Sequence, residues 1–63
     1  MTPPLITVTV PVGLNDHPTT LFVDKIQYIE YRPKGCFIYL LATGLGCRET
    51  REEVLELIIK ATT

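Results

Sequence analysis

The sequence predicts a small α+β domain, an antiparallel β-meander of three to five short strands with one C-terminal α-helix packed on one face. Three stretches predict it. Between Ile26 and Leu41, two runs rich in β-branched and aromatic residues flank Arg32-Pro33-Lys34-Gly35. Pro followed two residues later by Gly is turn chemistry, because Pro presets φ and Gly tolerates positive φ. Strand, turn, strand is a β-hairpin. Leu5 to Val12 alternates apolar and polar residues, the signature of a strand buried on one face. Thr50-Arg51-Glu52-Glu53 stands ahead of an apolar stripe and reads as a capping box opening a helix.

In chain order, residues 1–4 form an extended leader containing Pro3-Pro4. The first strand then puts Ile6, Val8, Val10 and Val12 on one face and Thr7, Thr9 and Pro11 on the other. Pro11 has no N–H, which places this strand at a sheet edge. Residues 13–20, Gly-Leu-Asn-Asp-His-Pro-Thr-Thr, are turn formers throughout and predict a loop. His17 in that loop is a solvated side chain, since no orienting partner for a catalytic base accompanies it. Leu21-Phe22-Val23 is a short strand broken by Asp24-Lys25.

In the hairpin, Ile26, Tyr28 and Glu30 share one face of the first strand, and Gln27, Ile29 and Tyr31 the other. The second strand is apolar on both faces, Cys36, Ile38 and Leu40 alternating with Phe37, Tyr39 and Leu41. A half-exposed antiparallel strand reads apolar-in and polar-out, so this hairpin demands cover on both sides. The expected orientation sends Ile29, Ile38 and Leu40 inward and Phe37, Tyr39 and Leu41 outward. Thr43-Gly44-Leu45-Gly46 turns the chain, and Leu45 to Glu49 returns as a third rung. Its Gly-x-Gly lacks the third glycine and the Lys-Ser/Thr of a phosphate loop. The helix over 50–61 carries Val54, Leu57, Ile58 and Ala61 on one stripe, widened by Leu55 and Ile59. Glu52 and Glu56 are spaced as an acid pair but read as its solvated face.

Length and composition bound the function. The 63 residues make one domain, 1–63. A chain this short buries only roughly 60% of its extended surface, and self-association is a common remedy. Its 46% hydrophobic and 21% charged residues exclude a disordered chain. The longest apolar run falls far short of the roughly 18 residues of a membrane helix. Met1-Thr2-Pro3-Pro4 has neither the basic nor the apolar region of a signal peptide, so a cytoplasmic protein is expected. A net charge of −1 opposes broad attraction to nucleic acid or anionic lipid. Cys36 and Cys47 are the only thiols. With the turn at Thr43 to Gly46, Ala42 faces Cys47, and Cys36 lies several residues out of register, too far to bridge. Both are expected to be reduced and partly buried, with no metal and no cofactor bound.

The segment from about Leu21 to Ile59 resembles the FlbD-like family of small flagellar and swarming-motility proteins, and more distantly the β-rich part of LytTR response-regulator domains. The residues that carry the resemblance are Ile26-x-x-Ile29-Glu30-x-x-Pro33, then Ile38-x-Leu40, Gly44, and finally Arg48 through Ile58. It covers about two thirds of the chain and implies a β-meander followed by one helix opening on a Glu-Thr step. It also implies a regulatory, non-enzymatic role, with no catalytic residue carried over. The chain departs from that family in the Gly13–Thr20 segment, in one extra residue between Pro33 and Ile38, and at Gly46-Cys47.

These readings favour a non-enzymatic interaction or regulatory module that works as a homo-oligomer, meeting its partner through Tyr28, Tyr31, Phe37, Tyr39 and Leu41. Two alternatives draw on other residues. One is a small-molecule sequestering protein or a phage-type inhibitor with a site at the oligomer interface. The other is a nucleic-acid module, with Tyr28, Tyr31 and Tyr39 stacking and Lys25, Arg32, Lys34, Arg48 and Arg51 on phosphates, which the acidic balance opposes. Arg32, Lys34 and Arg48 are the candidate ligand contacts.

Overall fold

The computed structural model describes residues 3–63. They form β1 (Leu5–Val12), β2 (Asn15–Phe22), a 3₁₀ turn (Val23–Lys25), β3 (Ile26–Arg32), β4 (Gly35–Leu40), β5 (Gly44–Cys47) and α1 (Arg51–Thr62). This is an α+β fold of five short antiparallel strands and one C-terminal helix. The strands divide into two sheets, the hairpin β1–β2 and the meander β3–β4–β5. Of the expected leader, residues 1–2 lie outside the described residues, and Pro3 and Pro4 precede β1 without regular structure.

The loop expected over 13–20 is instead a turn and most of a strand. Gly13 and Leu14 are the two central residues of a hairpin whose strands pair from Val12↔Asn15 to Leu5↔Phe22. Gly13 has φ 62° and Leu14 does not share the positive sign, the pattern of a type II′ turn, whose twist matches that of the flanking strands. Polar turn formers in β2 are tolerated because residues 15–18 are exposed on both faces, beyond the core. His17 is an exposed strand residue opposite Val10, and Leu21-Phe22 ends this long strand instead of forming a short one. Val12, expected inside, is 54% exposed because the hairpin tip projects past the core.

Thr9 fastens the two sheets. Its carbonyl accepts from the Arg48 N–H at 2.8 Å. Its N–H donates to Glu49 Oε1 at 2.7 Å, and its hydroxyl donates to Glu49 Oε2 at 2.9 Å. Both backbone groups of Thr9 therefore point away from β2, where its opposite residue is Pro18. The missing N–H of Pro18 then falls on the outer edge of β2, where no ladder bond is lost.

In the meander, Arg32 pairs with Gly35 across Pro33-Lys34, the expected turn. The expected inward orientation holds, with Ile38 fully buried opposite a half-buried Ile29. A bulge between Ile26 and Tyr28 shifts the register so that Ile26, not Gln27, faces Leu40. Ile26 thus joins the face of Ile29 instead of that of Tyr28, which keeps the glutamine amide out of the core. The core comprises Ile6, Val8 and Leu21 from the first sheet, Cys36, Ile38 and Cys47 from the second, and Val54 from the helix. Helix α1 packs on β1 and β3, with Leu57, Ile58 and Ala61 against this core. Leu55 and Ile59 flank the stripe and are exposed.

The capping box is present. Thr50 Oγ1 accepts from the Glu53 N–H at 3.2 Å, and Glu53 Oε1 accepts from the Thr50 N–H at 2.9 Å. Thr50→Ala is therefore expected to destabilise the protein by about 1 kcal/mol; a denaturant midpoint equal to wild type would place the helix start elsewhere. Gly35 has φ 144°, and a Cβ there would run into the Cys47 carbonyl oxygen. Gly35→Ala is expected to cost more than about 2 kcal/mol, since strained φ and a backbone clash add. Gly13→Ala, with open space around it, should cost only the positive-φ penalty, about 1–2 kcal/mol. Equal losses in the two variants would rule out the clash.

Candidate functional site

The outer face of the meander collects the aromatic residues. Opposite residues in a ladder share a face, so Tyr28 with Tyr39 and Glu30 with Phe37 lie together on the side away from the core. The Tyr28 and Tyr39 rings stack with centroids 4.3 Å apart, and Phe37 tilts against Tyr39 at 4.9 Å. Glu30 Oε1 accepts from the Tyr39 hydroxyl at 3.3 Å and pairs with Arg32 NH1 at 2.6 Å. The Arg32 guanidinium in turn lies 5.5 Å from the Phe37 centroid. Phe37 lies across β5 because its neighbours there are glycines: a Cβ on Gly44 would come within 2.5 Å of Phe37 Cε2.

The five residues expected to share one interface do not. Tyr28, Phe37 and Tyr39 are together. Tyr31 is opposite Cys36 and so belongs to the inner face, at its rim, where it stays 67% exposed. Leu41 lies in the bend after β4 and is 72% exposed. Strand parity already puts Tyr31 on the face of Ile29, and grouping the tyrosines by type overrides it; Leu41 is misplaced because the strand stops at Leu40.

The three candidate ligand residues do converge. Arg32, Lys34 and Arg48 line one groove of about 480 Å³ between the β3–β4 turn and the end of β5. Pro11, Pro33 and Phe37 form its apolar walls, and Gly46 with the two cysteines forms the rest of the lining. Arg48 Nε pairs with Asp16 Oδ1 at 2.6 Å, an exposed ion pair on the β2 strand that was expected to be a loop. Lys25 and Arg51, the other expected phosphate contacts, lie in the 3₁₀ turn and at the first position of the helix.

Cys36 and Cys47 correct the register expectation. The chain turns through Leu41 to Thr43, ahead of the glycines expected to make the turn, and the Leu40 N–H donates to the Thr43 carbonyl at 2.7 Å. β5 thus begins at Gly44, and Cys36 pairs directly with Cys47. Both thiols are free and buried, with sulfurs 3.2 Å apart. They are within bridging reach, not several residues out of register. Burial, and then the hydrogen bond and charge of the neighbouring Cys47, push the Cys36 thiol from 9.0 up to about 12. A neutral thiol is a poor nucleophile, which holds Cys36 unreactive at neutral pH, and both cysteines pack into the core. No group of three side chains suited to a metal ion occurs among the described residues, and no helix among them is long and apolar enough to cross a membrane.

Because the folded value for Cys36 lies above the unfolded one, its burial contributes stability that is complete below pH 9.0 and lost as pH rises toward 12. The melting temperature of Cys36→Ala should therefore fall less than that of wild type across this window. In the native protein at neutral pH both thiols should resist iodoacetamide, and both should react in denaturant; rapid native alkylation would contradict the burial. Comparison of the chain with protein-family models, with characterised proteins and with solved structures finds no match.

Proposed function

We propose that this protein is a non-enzymatic interaction module of regulatory type that self-associates through the outer face of β3–β5. The observation that carries the reading is the Tyr28–Tyr39–Phe37 cluster on the side of the sheet that α1 does not cover, with Tyr28 57% exposed. Each ring removed from water contributes about 25 cal/mol per Å² over as much as roughly 150–250 Å². A second copy is the occupant that the charges favour. Glu30 and Arg32 stand two residues apart beside the rings, so a two-fold contact can set the Glu30 of one protomer against the Arg32 of its partner. The regulatory half of the reading is supported by the resemblance of residues 21–59 to the FlbD-like proteins. The two buried, reduced thiols fit a reducing compartment such as the cytoplasm.

Wild type is expected to sediment as a dimer or higher symmetric oligomer at high micromolar concentration. Tyr39→Glu places an unpaired carboxylate in the contact, at a cost of several kcal/mol. It should sediment as a monomer with an unchanged far-ultraviolet circular dichroism spectrum. A wild type that stays monomeric throughout the concentration series would refute self-association.

A further inference from the structure

The groove of about 480 Å³ at the hairpin end of the meander adjoins the aromatic face, sharing Phe37 and Arg32 with it, while Tyr28 and Tyr39 do not line it. We infer that it is a binding site for a small organic phosphate that carries a planar ring, a mononucleotide in chemical class.

The first observation is charge. The chain has six Lys and Arg in total and a net charge of −1. Three of those six line this one groove. They come from separate segments: Arg32 from the end of β3, Lys34 from the turn and Arg48 from the residue after β5. The fold therefore concentrates positive charge that the composition does not. Each arginine is engaged by a carboxylate at one nitrogen, Arg32 through NH1 and Arg48 through Nε. A guanidinium has five N–H donors, so donors remain on both for a phosphate group. Lys34 has no ion pair among the described residues and is exposed in its turn.

The second observation is the wall. Phe37, Pro11 and Pro33 give the groove an apolar side beside its cations. Phe37 is held in place by Gly44 and Gly46, which leave no side chain between the ring and β5. A ligand with charge at one end and a flat apolar ring at the other matches both parts. The volume lies within the roughly 300–1,000 Å³ typical of small-molecule sites. Inorganic phosphate alone would leave the wall unused, and a neutral nucleoside would leave the cations unused. The buried Cys36 thiol at the back of the groove, its ionisation pushed up by burial, holds its proton at neutral pH and adds no repelling charge.

The inference does not rest on self-association, and its test reads the groove directly. The full chain, labelled with nitrogen-15, is titrated with adenosine monophosphate, adenosine, inorganic phosphate and a short single-stranded oligothymidylate. Adenosine monophosphate should shift the backbone amides of residues 34–37 and 46–48 saturably at millimolar or lower concentration. Adenosine and phosphate should bind the same amides roughly tenfold or more weakly, a factor of ten being about 1.4 kcal/mol. Raising the salt concentration should weaken the nucleotide and not the nucleoside. Lys34→Glu lies in an exposed turn and Arg48→Gln keeps a polar side chain of similar length. Each should weaken nucleotide binding by roughly tenfold with the remaining amide positions unchanged. Absence of saturable shifts with the nucleotide overturns the inference, as does equal binding of adenosine. Undiminished binding by both variants also overturns it. An oligothymidylate that binds tenfold tighter than the mononucleotide at these amides would make the groove a nucleic-acid track and overturn it too.

Discussion

Everything in this fold hangs on the bonds at Thr9. Two small sheets, each stable only with its inner face covered, share one core because Arg48 and Glu49 dock on the outer edge of β1. The geometry is set by Pro18, which sits where its missing N–H faces away from β1, while both backbone groups of Thr9 face the other sheet. Two-stranded hairpins are marginal by themselves in water. Joined here, they close Ile6, Val8 and Leu21 against Cys36, Ile38 and Cys47. The residues that make the joint lead directly into the Thr50 cap, so the docking of β5 also aims the helix. Val54 then seals the core with no exposed surface.

The same joint decides what is left outside. Once Ile38 and the two thiols face inward, strand alternation sends Phe37 and Tyr39 to the other side of β4. The helix cannot reach them, because it is committed to β1 and β3. The glycines of β5 let Phe37 lie across that strand, and Glu30 ties Tyr39 to Arg32. The outcome is an ordered aromatic surface with a charged border.

At one end of this surface the chain also gathers its positive charge. Arg48 stands beside the β3–β4 turn because β5 returns antiparallel to β4, which brings the end of β5 level with Cys36 and the turn before it. Burial pushes the Cys36 thiol beneath up to about 12, so the cations above it face no Cys36 thiolate at neutral pH. The groove is therefore a consequence of one register, that of Cys36 opposite Cys47.

The sequence by itself determined the elements whose signals are local. The capping box at Thr50, the turn at Pro33-Lys34, the alternation of β1 as far as Val10 and the inward Ile38 each depend on neighbours within a few residues, and each is found as read. Arg32, Lys34 and Arg48 were legible as candidate contacts by type, though not as one groove. What only the tertiary structure decided depends on partners far along the chain. β2 looked like loop because its polar residues are stabilised by pairing with β1, which no local propensity records. The bulge before Tyr28 and the early turn at Leu41 each moved the register by a residue or more. A shift of one residue exchanges the faces of a strand, so Ile26 joined the core and Cys36 met Cys47. The Thr9 joint had no local sequence signature, because its backbone N–H and carbonyl are the same at every position and its Thr9 hydroxyl and Glu49 carboxylate lie 40 residues apart, so only the arrangement of the two sheets brings them together.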